Sequence, residues 1–350
     1  MHKYLLLAAS ISFILLSQHI FGDYGMSIMN NICIFIILAV SYNLINGVCG
    51  QFSLEPNGFV AVGAYVAALL LLSSEQKLNQ FNLEDPHAFI LWLHTQSFYL
   101  ALLAAGFFAW LLSFILSFAV FRVRGDYLAI VTLGFGIIIK ICAINFASFT
   151  NGALGLNEIP RHSNIYVTGA FAIISTWLIL NLIYSKYGRA MKAVRDDEDA
   201  ASAMGIDSFW TKSFAFGTSA FFEGVAGALL VCLLASISPE QFDFFLTFQL
   251  LIIIVLGGLG SVSGSILGVI LVIGGSEWLR FLDEPMNIFG YQTQGLVGLR
   301  LVVFSLILIL VMLFARRGIF GDKELFAKQR KTLPSAWIKL IKSMQKDKTC

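Results

Sequence analysis

Long apolar runs separated by short polar turns fill most of the chain, and ten of them approach the roughly 20 residues that a helix needs to cross a bilayer core. They cover residues 4–20, 27–46, 53–73, 98–121, 127–148, 165–184, 213–236, 242–259, 262–281 and 295–315. In hydrocarbon every backbone amide must be paired within its own segment, so runs of this kind predict helices. The expectation is an all-α, polytopic membrane protein with about ten transmembrane helices. The first run follows Lys3 as a secretion signal would, but no Ala-x-Ala cleavage pattern closes it, and it reads as an uncleaved first helix.

Composition sharpens this picture. Of 350 residues, 58% are apolar and 13% charged, where a soluble domain carries about a quarter charged residues. That excludes a soluble globular enzyme. A net charge of +2 gives no reason to expect a nucleic-acid partner. The cysteines Cys33, Cys49, Cys142, Cys232 and Cys350 show no Cys-x-x-Cys spacing, so neither a disulfide framework nor a metal site is expected. His2, His19, His87, His94 and His162 lie near predicted helix ends or outside them, and no two have helical ligand spacing, which argues against a polytopic membrane enzyme.

The positions of the charges orient the chain, because Lys and Arg concentrate in cytoplasmic loops. With the N-terminus inside, the inner segments hold Lys3, Arg122, Arg124, Lys186, Arg189, Lys192, Arg195, Lys212 and the ten Lys and Arg residues from Arg316 to Lys348. Only Lys77, Arg161 and Arg280 fall outside, while Lys140 and Arg300 lie within runs. Both termini are therefore expected in the cytoplasm, with a membrane domain over residues 1–315 and a basic cytoplasmic tail over 316–350. Trp337, Ile341 and Met344 recur in that tail at helical spacing between lysines, which fits an interfacial helix on anionic lipid as well as a disordered basic segment. The 74–97 segment is the largest expected outer loop.

The third run starts badly for a membrane helix, since Gly47, Gly50, Glu55, Pro56, Asn57, Gly58 and Gly63 crowd its beginning. Broken helices expose backbone dipoles to a substrate near the bilayer midplane, so a translocation path beside this break is one reading; close packing of small residues is the other. Ionisable groups within runs are costly. Glu55 is expected near the cytoplasmic end of its helix and Glu277 near the outer end of another, where either can reach water. Glu223 sits in mid-run, with intramembrane Lys140 as its expected partner unless Lys140 and Arg300 extend outward along their stems. The candidate path set is Ser53, Glu55, Pro56, Asn57, Gly58, Thr132 and Glu223.

The glycine cluster Gly257–Gly264 lacks the Gly-Lys dipeptide of a phosphate-binding loop; it reads as a tight turn followed by a packing face at Gly264 and Gly268. The one sizeable polar insertion, residues 185–212, carries four cations in its first half and four consecutive acids, Asp196 to Asp199, in its middle. That polarity opposes a single helix dipole. Two short helices resolve the conflict: the first ends near Arg195, and Asp196 or Asp197 caps a second that stops at Gly205.

Within this loop Asp199-Ala200-Ala201-x-x-x-Gly205 resembles the Glu-Ala-Ala-x-x-x-Gly signature of ABC importer permeases. The likeness extends through Gly50–Leu54 with Gly63–Tyr65, Arg124–Leu133, Thr150–Leu156 leading to Ile159–Pro160, Gly188–Ala190, Ala193–Asp197, Leu256–Ser261 and Arg317–Gly321. Taken together, the chain is similar to permeases of the branched-chain amino acid importer family, of the LivM type. The resemblance implies an ABC importer permease fold and a multi-pass position in the cell's inner membrane. It also implies no chemistry and no bound cofactor in this chain. ATP would be used by two cytoplasmic ATPase subunits, and a second, LivH-like permease and a periplasmic amino-acid-binding protein would complete the assembly. The docking set it implies is Gly188, Arg189, Arg195, Asp196, Asp199, Ala200, Ala201 and Gly205. One departure stands out: Ser53-Leu54-Glu55-Pro56 replaces the family's usual Ser-Leu-Gly-His. It leaves the related permeases for urea or short amides as an alternative, and a secondary carrier or channel as a more remote one.

Overall fold

The computed structural model describes residues 22–81, 86–121, 126–283, 286–288, 291–293, 299–314, 318–321 and 324. The run at residues 4–20, both termini and the tail positions Trp337, Ile341 and Met344 lie outside the described residues. The chain forms helices α1 (Asp23–Cys49), α2 (Pro56–Leu71), α3 (Ser74–Gln80), α4 (Ala88–Trp92), α5 (Phe98–Val120), α6 (Asp126–Asn145) and α7 (Ala147–Thr150). After these come α8 (Ile165–Tyr184), α9 (Lys186–Asp196), α10 (Glu198–Ala203), α11 (Ser208–Leu234), α12 (Phe244–Gly257), α13 (Val262–Trp278) and α14 (Leu299–Phe314). A small antiparallel hairpin, β1 (Met286–Ile288) with β2 (Tyr291–Thr293), interrupts the otherwise helical chain before α14.

Each of the other nine predicted runs contains a helix. Five described helices, α1, α5, α6, α8 and α11, are long and apolar enough to cross a membrane, and α2 with α3 makes a sixth if that pair, bent by 116°, is counted as one broken span. Large apolar side chains such as Leu103, Phe107, Ile130, Ile138, Trp177 and Leu306 face outward. An exterior of this kind belongs in a bilayer, and the protein is a multi-pass membrane protein.

Burial separates the centre of the bundle from its rim. In α1, 89% of the most apolar stretch is buried, against 28% in α6. Helix α11 packs on α5, α2 and α1, and this group forms the core. Small residues make the close approach possible, as expected where lipid supplies little hydrophobic drive between helices. A Cβ on Gly63 would lie 2.1 Å from the Gly224 carbonyl oxygen, and one on Gly227 would lie 2.2 Å from that of Val60. The expected packing face after the Gly257 turn is also present: Gly257 meets Gly264, and Gly268 meets the Ile253 carbonyl.

Candidate functional site

The polar insertion folds as two short helices meeting at an elbow. Ser185 caps α9 by accepting from the amides of Tyr187 and Gly188. Gly188 is required by space, because a Cβ there would sit 2.2 Å from the Ile183 carbonyl oxygen. Arg189 donates to the Tyr184 carbonyl at 3.4 Å. Asp197, rather than Asp196, caps α10 by accepting from the Ala200 amide at 2.9 Å, an interaction worth about 1 kcal/mol. Asp196 instead receives Arg195, with Nε and Nη2 each 3.0 Å from its Oδ1.

Gly205 ends the elbow in the left-handed region at φ +83°, while the Ile206 amide reaches back to the Ala201 carbonyl at 3.1 Å. Lys212 on α11 clamps Glu198 at 2.7 Å. These ties bury Ala201 and leave Asp199, Ala200, Ser202, Ala203 and Met204 exposed. The result is a rigid, small-residue knob fixed to the bundle at both ends. Arg195 also anchors it sideways, donating from Nη1 to the Gly47 carbonyl at 3.2 Å.

The break before α2 makes a second polar assembly, inside the bundle. The last turns of α1, Leu44–Cys49, are π-helical, and Gly50 reverses the chain at φ +71°. Residues 51–55 then climb back alongside α1: the Ser53 amide donates to Asn46 Oδ1 at 3.0 Å, and the Tyr42 hydroxyl donates to the Ser53 carbonyl at 2.6 Å. Thr132 on α6 accepts from the Leu54 amide at 2.9 Å. Pro56 opens α2 at its first turn, where no amide proton is needed. Asn57 donates from Nδ2 to the Phe242 carbonyl at 3.4 Å, and Gly58 lies against Phe135 and Gly136.

Glu55 is therefore not at a water-accessible helix end; it is fully buried. The climb of residues 51–55 along α1 carries it inward, a register that a helix starting at residue 53 could not produce. Glu223 is fully buried as expected, but Lys140 is not its partner. Lys140 binds Asp243 at 3.1 Å, outside the core, whereas Glu223 Oε1 accepts from the Ser219 hydroxyl at 2.8 Å. Glu55 lies in the electrostatic field of Glu223, and Tyr42 in that of both. Both Glu55 oxygens, Glu223 Oε2, Ser53 Oγ and Asn57 Oδ1 lack a hydrogen-bond partner among the described residues. Glu277 is half-buried near the C-terminal end of α13 and accepts from the Tyr24 hydroxyl at 2.7 Å. The structure thus gathers Ser53, Glu55, Pro56, Asn57, Gly58, Thr132 and Glu223 around one break, and adds Tyr42, Asn46, Ser219 and Thr247. Chemically this is a concentration of acceptor oxygens in an apolar interior.

The profile of a family described as the permease component of branched-chain amino acid transport systems matches residues 25–315. The chain belongs to this permease family. It is 33% identical over 285 residues to the high-affinity branched-chain amino acid transport system permease protein LivM of Escherichia coli (strain K12), with 72% of this chain covered. The LivM protein of Salmonella typhimurium matches to the same extent. The LivH permease of that organism is 24% identical over 307 residues, covering 82% of this chain and 91% of its own length. The chain spans 62% of the length of the LivM relatives. No solved structure matches. In this chain the elbow and the broken helix are separate assemblies joined through α1, whose side chains supply Tyr42 and Asn46 to the break and whose Gly47 carbonyl receives Arg195.

Proposed function

We propose that this chain is a permease subunit of an ATP-driven importer that carries branched-chain or related hydrophobic amino acids across the inner membrane. The observation that carries the reading is the elbow: a capped pair of short helices with the knob Asp199–Ala200–Ala201 and Gly205, built into a chain 33% identical to LivM. The knob docks into a cytoplasmic ATPase, and its motion is passed to the bundle by α9 and α11. ATP is bound and hydrolysed by two ATPase subunits, so this chain needs no cofactor of its own. A LivH-like permease completes the conduit, and a periplasmic amino-acid-binding protein delivers the solute. The membrane domain runs over residues 1–315 with about ten spans and both termini in the cytoplasm, and residues 316–350 form its basic cytoplasmic tail.

Ser53, Glu55, Pro56, Asn57, Gly58, Thr132 and Glu223 make up the region beside the translocation path, where backbone that is not helical is held within protein. Gly188, Arg189, Arg195 and Asp196 hold the coupling elbow in place. The test is uptake of labelled leucine by the parent strain and by a strain lacking this gene, with unlabelled isoleucine, valine and urea as competitors. Loss of uptake in the deletion strain, with competition by isoleucine and valine in the parent, is the expected result. Intact leucine uptake in the deletion strain would move the substrate to urea or short amides and make Glu55 and Pro56 the first positions to examine.

A further inference from the structure

Four stretches far apart in the chain meet in one knot beside the elbow. From α1 comes the Asn43–Gly50 segment, from α9 Arg195, from the α12–α13 turn Gly257–Ser263, and from beyond α14 the residues Gly318–Gly321 and Glu324. Asn43 bridges α1 to the turn with both ends of its amide: Nδ2 donates to the Ser261 carbonyl at 3.0 Å, and Oδ1 accepts from the Gly260 amide at 2.8 Å. Gly47 lies directly against Gly260, since a Cβ on Gly47 would be 2.1 Å from the Gly260 amide nitrogen. The carbonyl of the same Gly47 receives Arg195, and Gly50 has no room for a Cβ because the Arg195 side chain occupies that space, 2.2 Å away.

The far side of the turn is held just as closely. The Ile319 and Phe320 amides donate to the Leu256 and Gly257 carbonyls at 2.9 and 3.1 Å. A Cβ on Gly318 would sit 2.6 Å from the Gly258 Cα. Glu324 then closes the knot across the start of α13: Oε1 accepts from the Val262 amide at 2.5 Å, and Oε2 accepts from the Ser263 amide at 3.3 Å and the Ser263 hydroxyl at 2.9 Å. A carboxylate over these free amides is favoured by the helix dipole. Glu324 also lies within the electrostatic field of Lys192 on α9, which brings the knot back to the elbow.

We propose that the α12–α13 turn is a working part of the coupling machinery, with Arg195 and Asn43 as positioning residues that tie it to the elbow and Glu324 as the latch that holds it from beyond α14. This rests on the reading of the chain as an ATP-driven permease. Each side-chain link ends on backbone, Arg195 on the Gly47 carbonyl and Asn43 on Gly260 and Ser261, and Gly47 lies directly on Gly260, so a displacement of α9 is passed through Arg195 to Gly47 and from there to the turn. The π-helical end of α1 is where such a movement is absorbed, since π turns are short, irregular interruptions often found at functional positions. The elbow thereby acts on α12 and α13 as well as on α11.

The test is made on the assembled complex with its ATPase subunits and binding protein, reconstituted in liposomes, comparing the parent with Asn43→Ala and Glu324→Gln. Leucine uptake and ATP hydrolysis are measured together, and the melting temperature of each complex separately. The amount of leucine taken up per ATP should fall about fivefold or more in Asn43→Ala, and by a smaller factor in Glu324→Gln, which keeps a single acceptor oxygen. A merely structural role would lower uptake and hydrolysis in proportion along with the melting temperature, and a ratio equal to the parent's in both variants overturns the joint. If Asn43→Ala does not assemble, the more peripheral Glu324→Gln decides alone by the same ratio. Failure of the parent complex to couple hydrolysis to uptake would instead sink the importer reading.

Discussion

At the crossing of α2 and α11 a Cβ on Gly63 would lie 2.1 Å from a backbone oxygen, whereas at Gly205 in the elbow a Cβ would meet nothing within 4 Å. The same residue type answers two different demands. At the crossing the backbones themselves touch, and any side chain would force the helices apart. At the elbow space is open, and what glycine supplies is a φ of +83° that other residues adopt at a cost. A substitution at the crossing therefore damages the bundle, while one at the elbow leaves the bundle intact and changes the surface shown to a partner.

The largest effect comes from the neighbouring crossing on α11, where Gly224 faces α5. Gly224→Leu would drive a side chain into Ala109 and the Ala105 carbonyl, 2.6 and 2.7 Å from the position of a Cβ. It should destabilise the protein by about 3 kcal/mol, seen as a lower melting temperature and less monodisperse protein in detergent. Parental stability in that variant would mean that the helices can separate, and the contrast with the elbow would be lost. At the elbow, Gly205→Ala and Gly205→Trp should both cost about 1–2 kcal/mol from the left-handed backbone. Only the tryptophan adds bulk to the exposed knob. Uptake per ATP should survive in the alanine variant and collapse in the tryptophan variant, and equal uptake by the two would remove position 205 from any docking contact.

The elbow was legible because its information is local. Segregated charge, a capping aspartate and a terminal glycine define two short helices within about 20 residues, and of the two expected caps, Asp196 and Asp197, the structure uses Asp197. The break before α2 was legible as a break, from its glycines, Pro56 and Glu55. Its depth was not, because depth depends on how residues 51–55 run back along α1, and that is set by Tyr42 and Asn46 reaching Ser53. Those two residues stood in an apolar run as polar side chains with a cost to explain, and this was the available signal. The partner of Lys140 failed for a related reason: two intramembrane charges of opposite sign attract in principle, but sequence does not say which helix faces which, and Asp243 lies nearer. The Asn43–Gly260 contact spans 217 positions, beyond the reach of any spacing rule.

The interior break sharpens the contrast from the other side. If the centre of the bundle served packing alone, a fully buried Glu55 with neither oxygen paired among the described residues would be a pure liability. Glu55→Gln should raise stability by about 1–2 kcal/mol, because the amide cannot take on the charge that an unpaired buried carboxyl can carry. It should also lower uptake if the break borders the path. Glu223→Gln should stabilise less, because its Oε1 already accepts from Ser219. Raised stability with undiminished uptake in Glu55→Gln would leave the break as a packing feature and place the path elsewhere.

A buried cation with partners completes the comparison with this buried anion. Lys77 on α3 is fully buried, and its Nζ donates to the carbonyls of Ile90 at 2.8 Å and Leu93 at 2.6 Å, clipping α3 to the end of α4. Lys77→Met keeps the bulk and loses the clip, which should cost about 1 kcal/mol, the smallest of these effects. Burial pushes the Lys77 ammonium down to about 8 from its usual 10.5. Between those values the unfolded chain holds the proton more often than the folded one, so the lysine's contribution to stability rises with pH across that window. The gap in melting temperature between parent and Lys77→Met should therefore widen in the parent's favour from pH 7.5 to pH 10. A gap that is constant or narrows would mean that the ammonium reaches water, and that α3 and α4 are held together by apolar contacts instead.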